Sequence, residues 1–277
     1  IGKHLLTKLS QYDISVIANH KIKKKKYYSI DIINKKKLNI AFSKENPECV
    51  IHLAAQVNPR ISMEKPEDDI KVNLFGTMNV LDACRKHGVK KIIFSSSSAV
   101  YGEPKYLPVD EDHGTLPLSI YGASKLTAEK YIEMYCSAYG IKYTILRYAN
   151  VYGPRSRSVV SIFLNQVMKK KRPIVFGNGS QTRDYIYIYD VAGATAASIR
   201  RADNMKLNIG TGKETSIKQI LSIINKHVKS NIKPIYKPKK KGEINRIALD
   251  ISMAKKHLKW KPIVDIGSGI RKTIEFL

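Results

Sequence analysis

The chain has 277 residues, of which 43% are hydrophobic, enough to bury one large core or two smaller ones. No apolar run reaches the length of a membrane span and no signal peptide is visible, so no membrane partner is expected. The net charge of +26 is unusual, but the lysine-rich runs at 23–26, 35–37, 169–172 and 237–241 fall in separate loops and helix ends without interleaved aromatics. They read as a solvated surface and not as a nucleic-acid interface, although the positive field would attract a diphosphate. The three cysteines, Cys49, Cys84 and Cys136, lack metal-ligand spacing and read as reduced thiols.

Residues 1–9 read as a helix, 13–18 as a strand ending at Ala18, and 27–31 as a short strand leading into Asp31-Ile32. Asp31 also suits an N-cap for the helix that follows. Residues 49–56 form a buried strand that ends Leu53-Ala54-Ala55-Gln56, where small side chains permit a ligand's close approach. His52 lies inside this strand and reads as a packed core histidine. Residues 57–70 read as a loop containing Ser62, and 70–87 as a helix carrying Asn73. The next strand runs through Lys90–Phe94 and ends in Ser95-Ser96-Ser97-Ser98.

The loop 103–117 gathers Asp110, Glu111, Asp112 and His113. A metal is one use for such a cluster, but no second group of ligands has metal-site spacing, so none is expected. A helix over 119–139 and a strand over 142–146 come next, followed by Tyr148-Ala149-Asn150. Beyond residue 150 the alternation loosens: helix 159–171, strand and turn 173–179, the run Gln181-Thr182-Arg183-Asp184-Tyr185-Ile186, helix 190–201, strand and turn 207–212, and a last helix 266–276. Ser216 reads as an N-cap. This order predicts an α/β fold, a doubly wound parallel sheet with a smaller C-terminal domain. The expected division is 1–150 for the dinucleotide-binding part and 151–277 for a mostly substrate-binding part, some of whose segments return to the core sheet.

The chain is organised around Tyr121-Gly122-Ala123-Ser124-Lys125. Residues at i and i+4 share a helix face, so the phenol and the ammonium can meet. Such proximity favours the phenolate, and Lys125 is expected to lower the Tyr121 pKa. Both flanking strands end in polar segments, and open α/β sheets bind ligands at the carboxyl ends of their strands.

With Val100-Tyr101-Gly102 upstream and Arg147-Tyr148-Ala149-Asn150-Val151-Tyr152-Gly153-Pro154 downstream, the sequence resembles the extended short-chain dehydrogenase/reductase family. Within it, the nearest likeness is to NAD-dependent nucleotide-sugar epimerases of the UDP-glucose 4-epimerase type. The resemblance implies a Rossmann-type fold, tightly bound NAD, and inversion of a sugar hydroxyl, at C4 of a UDP-hexose, through a transient keto intermediate. It assigns catalysis to Ser97, Tyr121 and Lys125, with Ser98 the rival for the serine. It assigns the cofactor to Gly2, Asp31, Ile32, Leu53, Ala54, Ala55, Gln56, Asn73, Tyr121, Lys125 and Tyr148, and the substrate to Ser97, Tyr121, Asn150, Arg183 and Arg246. A salt bridge from Arg183 to Asp184 or Asp190 is the competing use of that arginine.

Three departures bear on this reading. Ala18 stands where the family often has an acid for the adenosine ribose, which leaves NADP open beside NAD. Lys240 replaces a usual arginine, with Arg246 as its substitute. Of the Thr-Gly-x-x-Gly-x-x-Gly loop only Gly2 stands in the chain, so an N-terminally truncated member lacking its first strand is expected. Ser98 and Ala99 occupy the places where dehydratases carry Asp-Glu, which argues against 4,6-dehydration. A nucleotide-sugar reductase or decarboxylase, and a non-catalytic RNA-binding protein on this fold, are the alternatives. The reduced cysteines point to a cytoplasmic protein, and a homodimer is expected.

Overall fold

The computed structural model describes residues 1–20, 26–239 and 244–276. The chain opens with α1 (Gly2–Leu6), β1 (Val16–Ala18), β2 (Tyr27–Ser29), α2 (Lys35–Glu45) and β3 (Cys49–His52). It continues through α3 (Pro59–Glu64), α4 (Pro66–Ile70), a π-helical segment Lys71–Gly76 and α5 (Thr77–Lys86) to β4 (Lys91–Ser97). Helix α6 (Ile120–Tyr139) then connects to β5 (Lys142–Tyr148). The remainder comprises β6 (Asn150–Tyr152), α7 (Val159–Met168), β7 (Ile174–Phe176), β8 (Thr182–Arg183), β9 (Tyr185–Tyr187), α8 (Ile188–Ala197), β10 (Met205–Ile209), β11 (Thr215–Ser216), α9 (Ile217–Val228), β12 (Ile235–Lys237), α10 (Ser252–Leu258) and α11 (Ile266–Ile274).

The central sheet has the order β10-β5-β4-β3, every neighbour parallel. Strands β1 and β2 form a separate parallel pair. The strands expected in one doubly wound sheet are therefore seen, among the described residues, in separate parallel sheets.

Strand β4 explains the architecture. Ile92, Ile93 and Phe94 have almost no exposed surface. Ile92 and Phe94 join Ala128, Ile132 and Cys136 of α6 in one cluster. Ile93 points the other way, into a cluster with Leu146, Leu207 and Ile209. A parallel strand covered on both faces reads as a continuous apolar run, as this one does. The residues of α6 that meet the sheet recur every fourth position, and Ser119 caps the helix by accepting from the Gly122 N–H. The C-terminal third packs a further cluster around Tyr152, Phe163, Leu164, Ile220 and Ile224, while β10 returns to the central sheet beside β5.

Several local expectations change. Residues 57–70 are not a loop but α3 and α4, each opening on a proline at its first position, where a missing N–H costs nothing. The helix expected over 70–87 is divided by the π-helical segment, which carries Asn73. The strand expected over 27–31 stops at Ser29. The N-cap of α2 is Asn34, which accepts from the Lys37 N–H, and not Asp31, whose Oδ1 accepts from the Ile33 N–H. Ser216 is the N-cap expected, forming a reciprocal capping box with Gln219. Lys240 lies outside the described residues. No helix among the described residues is long and apolar enough to cross a membrane.

Candidate active site

The site is built at the carboxyl ends of β3, β4 and β5. Register sets Ser97 opposite Tyr148, so the last residue of β4 and the last of β5 lie side by side. The four serines then diverge. Ser95 donates its hydroxyl to the His52 carbonyl at 3.1 Å. Ser96 donates to the Glu129 carboxylate. Ser97 Oγ accepts from the Ala99 N–H at 3.2 Å and favours ionisation of the Tyr121 phenol. The structure thus brings together Ser97 and Tyr121, and the rival Ser98 is buried in the single turn that follows.

Glycine makes this approach possible. A Cβ at Gly122 would lie 2.6 Å from the Ala99 carbonyl oxygen, so only glycine lets the first turn of α6 settle against the end of β4. Ser62 fixes the same turn by accepting from the Tyr121 N–H at 3.1 Å. Ser62 is fully buried and belongs to α3, not to a loop.

Lys125 departs from expectation. Its Nζ donates to the Ser95 carbonyl at 2.8 Å and lies 4.6 Å from the centre of the Phe94 ring. Burial lowers its pKa to about 8, opposed by the carboxylates of Asp69 and Glu129. The Tyr121 phenol is not lowered but pushed up to about 12, by burial first, with Ser97 opposing and Asp69 adding to the rise. The i,i+4 spacing correctly predicted a shared face, but rotamers aim the ammonium at the strand end.

The cofactor candidates lie on α1, after β2, after β3, on the π-helical segment and at the end of β5. Gly2 lies beside Leu53, its would-be Cβ 3.8 Å from Leu53 Cδ1. Ala54 and Asp31 are exposed and Ile32 is buried. A Cβ at Gly76 would lie 2.5 Å from Ile32 Cδ1, so the π-helical segment meets Ile32 through glycine. Asn73 is a crosslink: its Oδ1 accepts from the Gln56 N–H at 2.9 Å, and its Nδ2 donates to the Gln56 carbonyl and to Ser124 Oγ. The end of β3 is thereby tied to the helix of Tyr121. Tyr148 is buried, its hydroxyl hydrogen-bonded to Thr195 at 2.7 Å. An exposed carboxylate, exposed small side chains and open strand ends fit a dinucleotide.

His52 is the packed histidine expected. Thr77 gives its hydroxyl proton to the Asn73 carbonyl, so His52 Nε2 donates to Thr77 at 3.0 Å and is protonated there. Burial, with Lys125 adding to it, holds its pKa near 3.

The substrate candidates assemble on β6, β8 and the segment before Arg246. Asn150 is exposed, with its N–H on the Asp184 carbonyl at 2.9 Å. Asp184 accepts from the N–H groups of Thr211, Gly212 and Leu249 and from the Thr211 hydroxyl. Asp190 accepts from the Val264 N–H. Both carboxylates proposed as salt-bridge partners of Arg183 thus serve backbone groups, while Arg183 Nη1 donates to the Thr182 carbonyl at 2.7 Å. Arg246 forms a two-pronged pair with Glu214, at 2.9 and 2.5 Å, and Glu214 also accepts from the Thr182 hydroxyl. Glu214 escaped notice in the sequence because nothing local links it to Arg246.

In the loop 103–117 the polar residues serve structure. Asp110 accepts from the Tyr106 hydroxyl and the His113 N–H. His113 accepts at Nε2 from the Lys105 N–H and donates from Nδ1 to the Gly114 carbonyl. Glu111 accepts from the Asn208 N–H at 2.7 Å.

A parallel sheet with Ser97 beside the Tyr121 phenol at its strand ends, and a buried lysine one turn further on, fits a dinucleotide-dependent enzyme acting on a hydroxyl. Residues 1–210 match the NAD dependent epimerase/dehydratase family, and the chain belongs to that family. A Methanocaldococcus jannaschii protein provisionally assigned as UDP-glucose 4-epimerase is 42% identical over 100% of this chain and 95% of its own length. The crystal structure of Thermotoga maritima UDP-glucose 4-epimerase with UDP-glucose superposes with a TM-score of 0.95 at 36% identity, covering 99% of this chain and 94% of that one. The Thermus thermophilus UDP-glucose 4-epimerase complex with NAD gives 0.93 at 32% identity, covering 99% and 94%. The chain is an NAD-dependent nucleotide-sugar epimerase.

Proposed function

We propose that the substrate is a UDP-hexose whose C4 hydroxyl is inverted, and that Ser97, Tyr121 and Lys125 carry the reaction. The observation that supports this most directly is the gathering of Ser97, Tyr121 and the buried Lys125 at the end of β4, with Ser97 favouring ionisation of the Tyr121 phenol. NAD, when bound, accepts a hydride from the sugar carbon and returns it to the opposite face. Tyr121, once ionised, takes the proton from the C4 hydroxyl, and Ser97 hydrogen-bonds that oxygen and relays the proton. Lys125 holds the cofactor ribose. Arg183 and Arg246, with Asn150, anchor the diphosphate while the 4-keto hexose turns its other face, and Tyr121 then gives the proton back. A guanidinium suits that anchor because its planar fork bonds two phosphate oxygens at once.

The cofactor cradle in this reading is Gly2, Asp31, Ile32, Leu53, Ala54, Ala55, Gln56, Asn73 and Tyr148. Residues 1–150 supply it and residues 151–277 supply most of the substrate site. We read the working form as a cytoplasmic homodimer paired through α5 and α6. Support comes from the apolar side chains that these packed helices and the turn before them leave in water, with Phe75 57% and Met134 75% exposed beside Met78 and Tyr131. The test is to incubate the enzyme with UDP-glucose and NAD and follow UDP-galactose by chromatography. Interconversion without net NADH absorbance is expected. Stoichiometric cofactor consumption would instead identify a reductase.

A further inference from the structure

We propose that Asp69 is a positioning residue for this reaction: its buried carboxylate is the counter-charge that sets how Tyr121 and Lys125 hold their protons. The inference rests on the catalytic roles proposed above.

The first turn of α4 carries Glu67, Asp68 and Asp69. Acids are favoured there by the helix dipole and gain that benefit at the surface. Glu67 and Asp68 are exposed, whereas Asp69 has no exposed surface. Burying a carboxylate is costly unless cations or hydrogen bonds compensate it. Asp69 has little of either. Its Oδ2 accepts from Gln56 Nε2 at 3.1 Å, and its buried Oδ1 has no partner among the described residues. Among the described residues no lysine or arginine forms an ion pair with it within 4.0 Å.

Its position is nonetheless fixed. Gln56, which holds Oδ2, is bound through its backbone to Asn73; Asn73 bonds Ser124, and Ser124 bonds the Tyr121 carbonyl. The carboxylate therefore keeps a constant relation to the catalytic turn of α6. Its field reaches both reacting groups, raising the Tyr121 and the Lys125 pKa together. The other groups facing them do not substitute. Ser97 from β4 opposes the rise at Tyr121. His52 from β3 is neutral, and Glu129 on α6 is matched by Arg147. Asp69 thus helps to keep Lys125 an ammonium against its burial. It also makes Tyr121 the stronger base once the proton leaves.

The experiment is the pH profile of kcat/KM for UDP-glucose with Asp69→Asn, Asp69→Ser and Asp69→Glu. Loss of the charge lowers both pKa values, so in the Asn and Ser variants the acid limb and the alkaline limb move to lower pH by about one unit. Asp69→Glu restores the wild-type limbs. A uniform loss of rate with unmoved limbs in Asn and Ser would overturn the proposal and leave Asp69 a structural residue. Two neutral variants guard against the misfolding of one. If the wild type converts no UDP-hexose, the substrate reading has failed, but the Asp69 reading is still decided by ultraviolet titration of tyrosinate. The difference between each protein and its Tyr121→Phe counterpart isolates Tyr121. That component titrates at lower pH in Asp69→Asn if the proposal holds, and is unmoved if it does not.

Discussion

Replacing Glu129 with alanine tests whether the site stands on a buried ion pair. Glu129 has no exposed surface. Its carboxylate takes Arg147 Nε at 3.1 and 3.2 Å and Nη2 at 2.7 Å, and also the hydroxyl of Ser96. Glu129→Ala leaves the Arg147 guanidinium, 3% exposed, with only the Tyr101 hydroxyl at 2.9 Å and the Glu111 carbonyl at 3.4 Å. An unpaired buried charge of this kind costs about 3–5 kcal/mol. At about 2–4 °C per kcal/mol for a chain of this size, the melting temperature should fall by about 6–20 °C. Differential scanning calorimetry measures it, and a fall of less than about 2 °C would refute the reasoning, because it would mean that Arg147 finds solvent or another partner. The companion test is Glu129→Ala with Arg147→Met. Removing both charges should recover part of the loss, whereas a double-mutant loss equal to the sum of the singles would show that the pair is not coupled. Ser96 precedes Ser97, so turnover by Glu129→Ala should fall even at temperatures where the variant is folded.

Four further outcomes are expected. Tyr121→Phe should cut kcat by about 10²–10⁴-fold with an unchanged melting temperature, and activity within a few-fold of wild type would remove Tyr121 from its role. Arg183→Ala should weaken UDP binding by about 1.5–3 kcal/mol while leaving NAD affinity in place, as read by calorimetric titration; equal affinities would mean that Arg183 does not touch the diphosphate. Gly122→Ala should lose most turnover, because its Cβ at 2.6 Å from the Ala99 carbonyl forces the start of α6 away from Ser97; wild-type kcat would refute that. Lys125 has a native pKa near 8 against an ordinary 10.5, so above about pH 8 the unfolded state binds more protons and stability rises with pH. The gain approaches about 3 kcal/mol by pH 10.5, at about 1.4 kcal/mol per pKa unit. Lys125→Met should abolish that rise in denaturation curves collected across the window, and parallel pH dependences would show that the lysine titrates normally.

Much of this arrangement was legible in the chain because the relevant physics is local. The Tyr121 helix follows from Ser119 as a cap and from apolar residues every fourth position, and the strand before it follows from a continuous apolar run. The misreading of 57–70 was avoidable. Asn58-Pro59 is an N-cap followed by a proline at the first helical position, and Pro66 is followed by three acids, a usual opening turn. Lys125 was different. Spacing gives the face of a helix but not the direction of a four-carbon side chain, and the Ser95 carbonyl belongs to a strand 30 residues away.

The carboxylates that matter most were the least legible, and for a common reason. Asp68 and Asp69 are chemically equivalent neighbours, and an acid at a helix start is by default a surface residue. Only tertiary burial separates Asp68, exposed at the start of α4, from Asp69, which has no exposed surface. Arg147 did carry a signal. A charged residue inside the buried run Ile145-Leu146-Arg147 requires a buried counter-charge, because an isolated guanidinium cannot stay there. The sequence cannot say whether Glu111, Glu129 or Glu133 supplies it. The fold assigns Glu129, one turn beyond Lys125, and so makes the partner that Arg147 needs also one of the two acids acting on that buried lysine. Glu129 does so with its charge already matched by Arg147, and Asp69 does so with no such match. The two acids therefore predict different results: removing Glu129 should register first in stability, and removing Asp69 first in the pH at which the enzyme works.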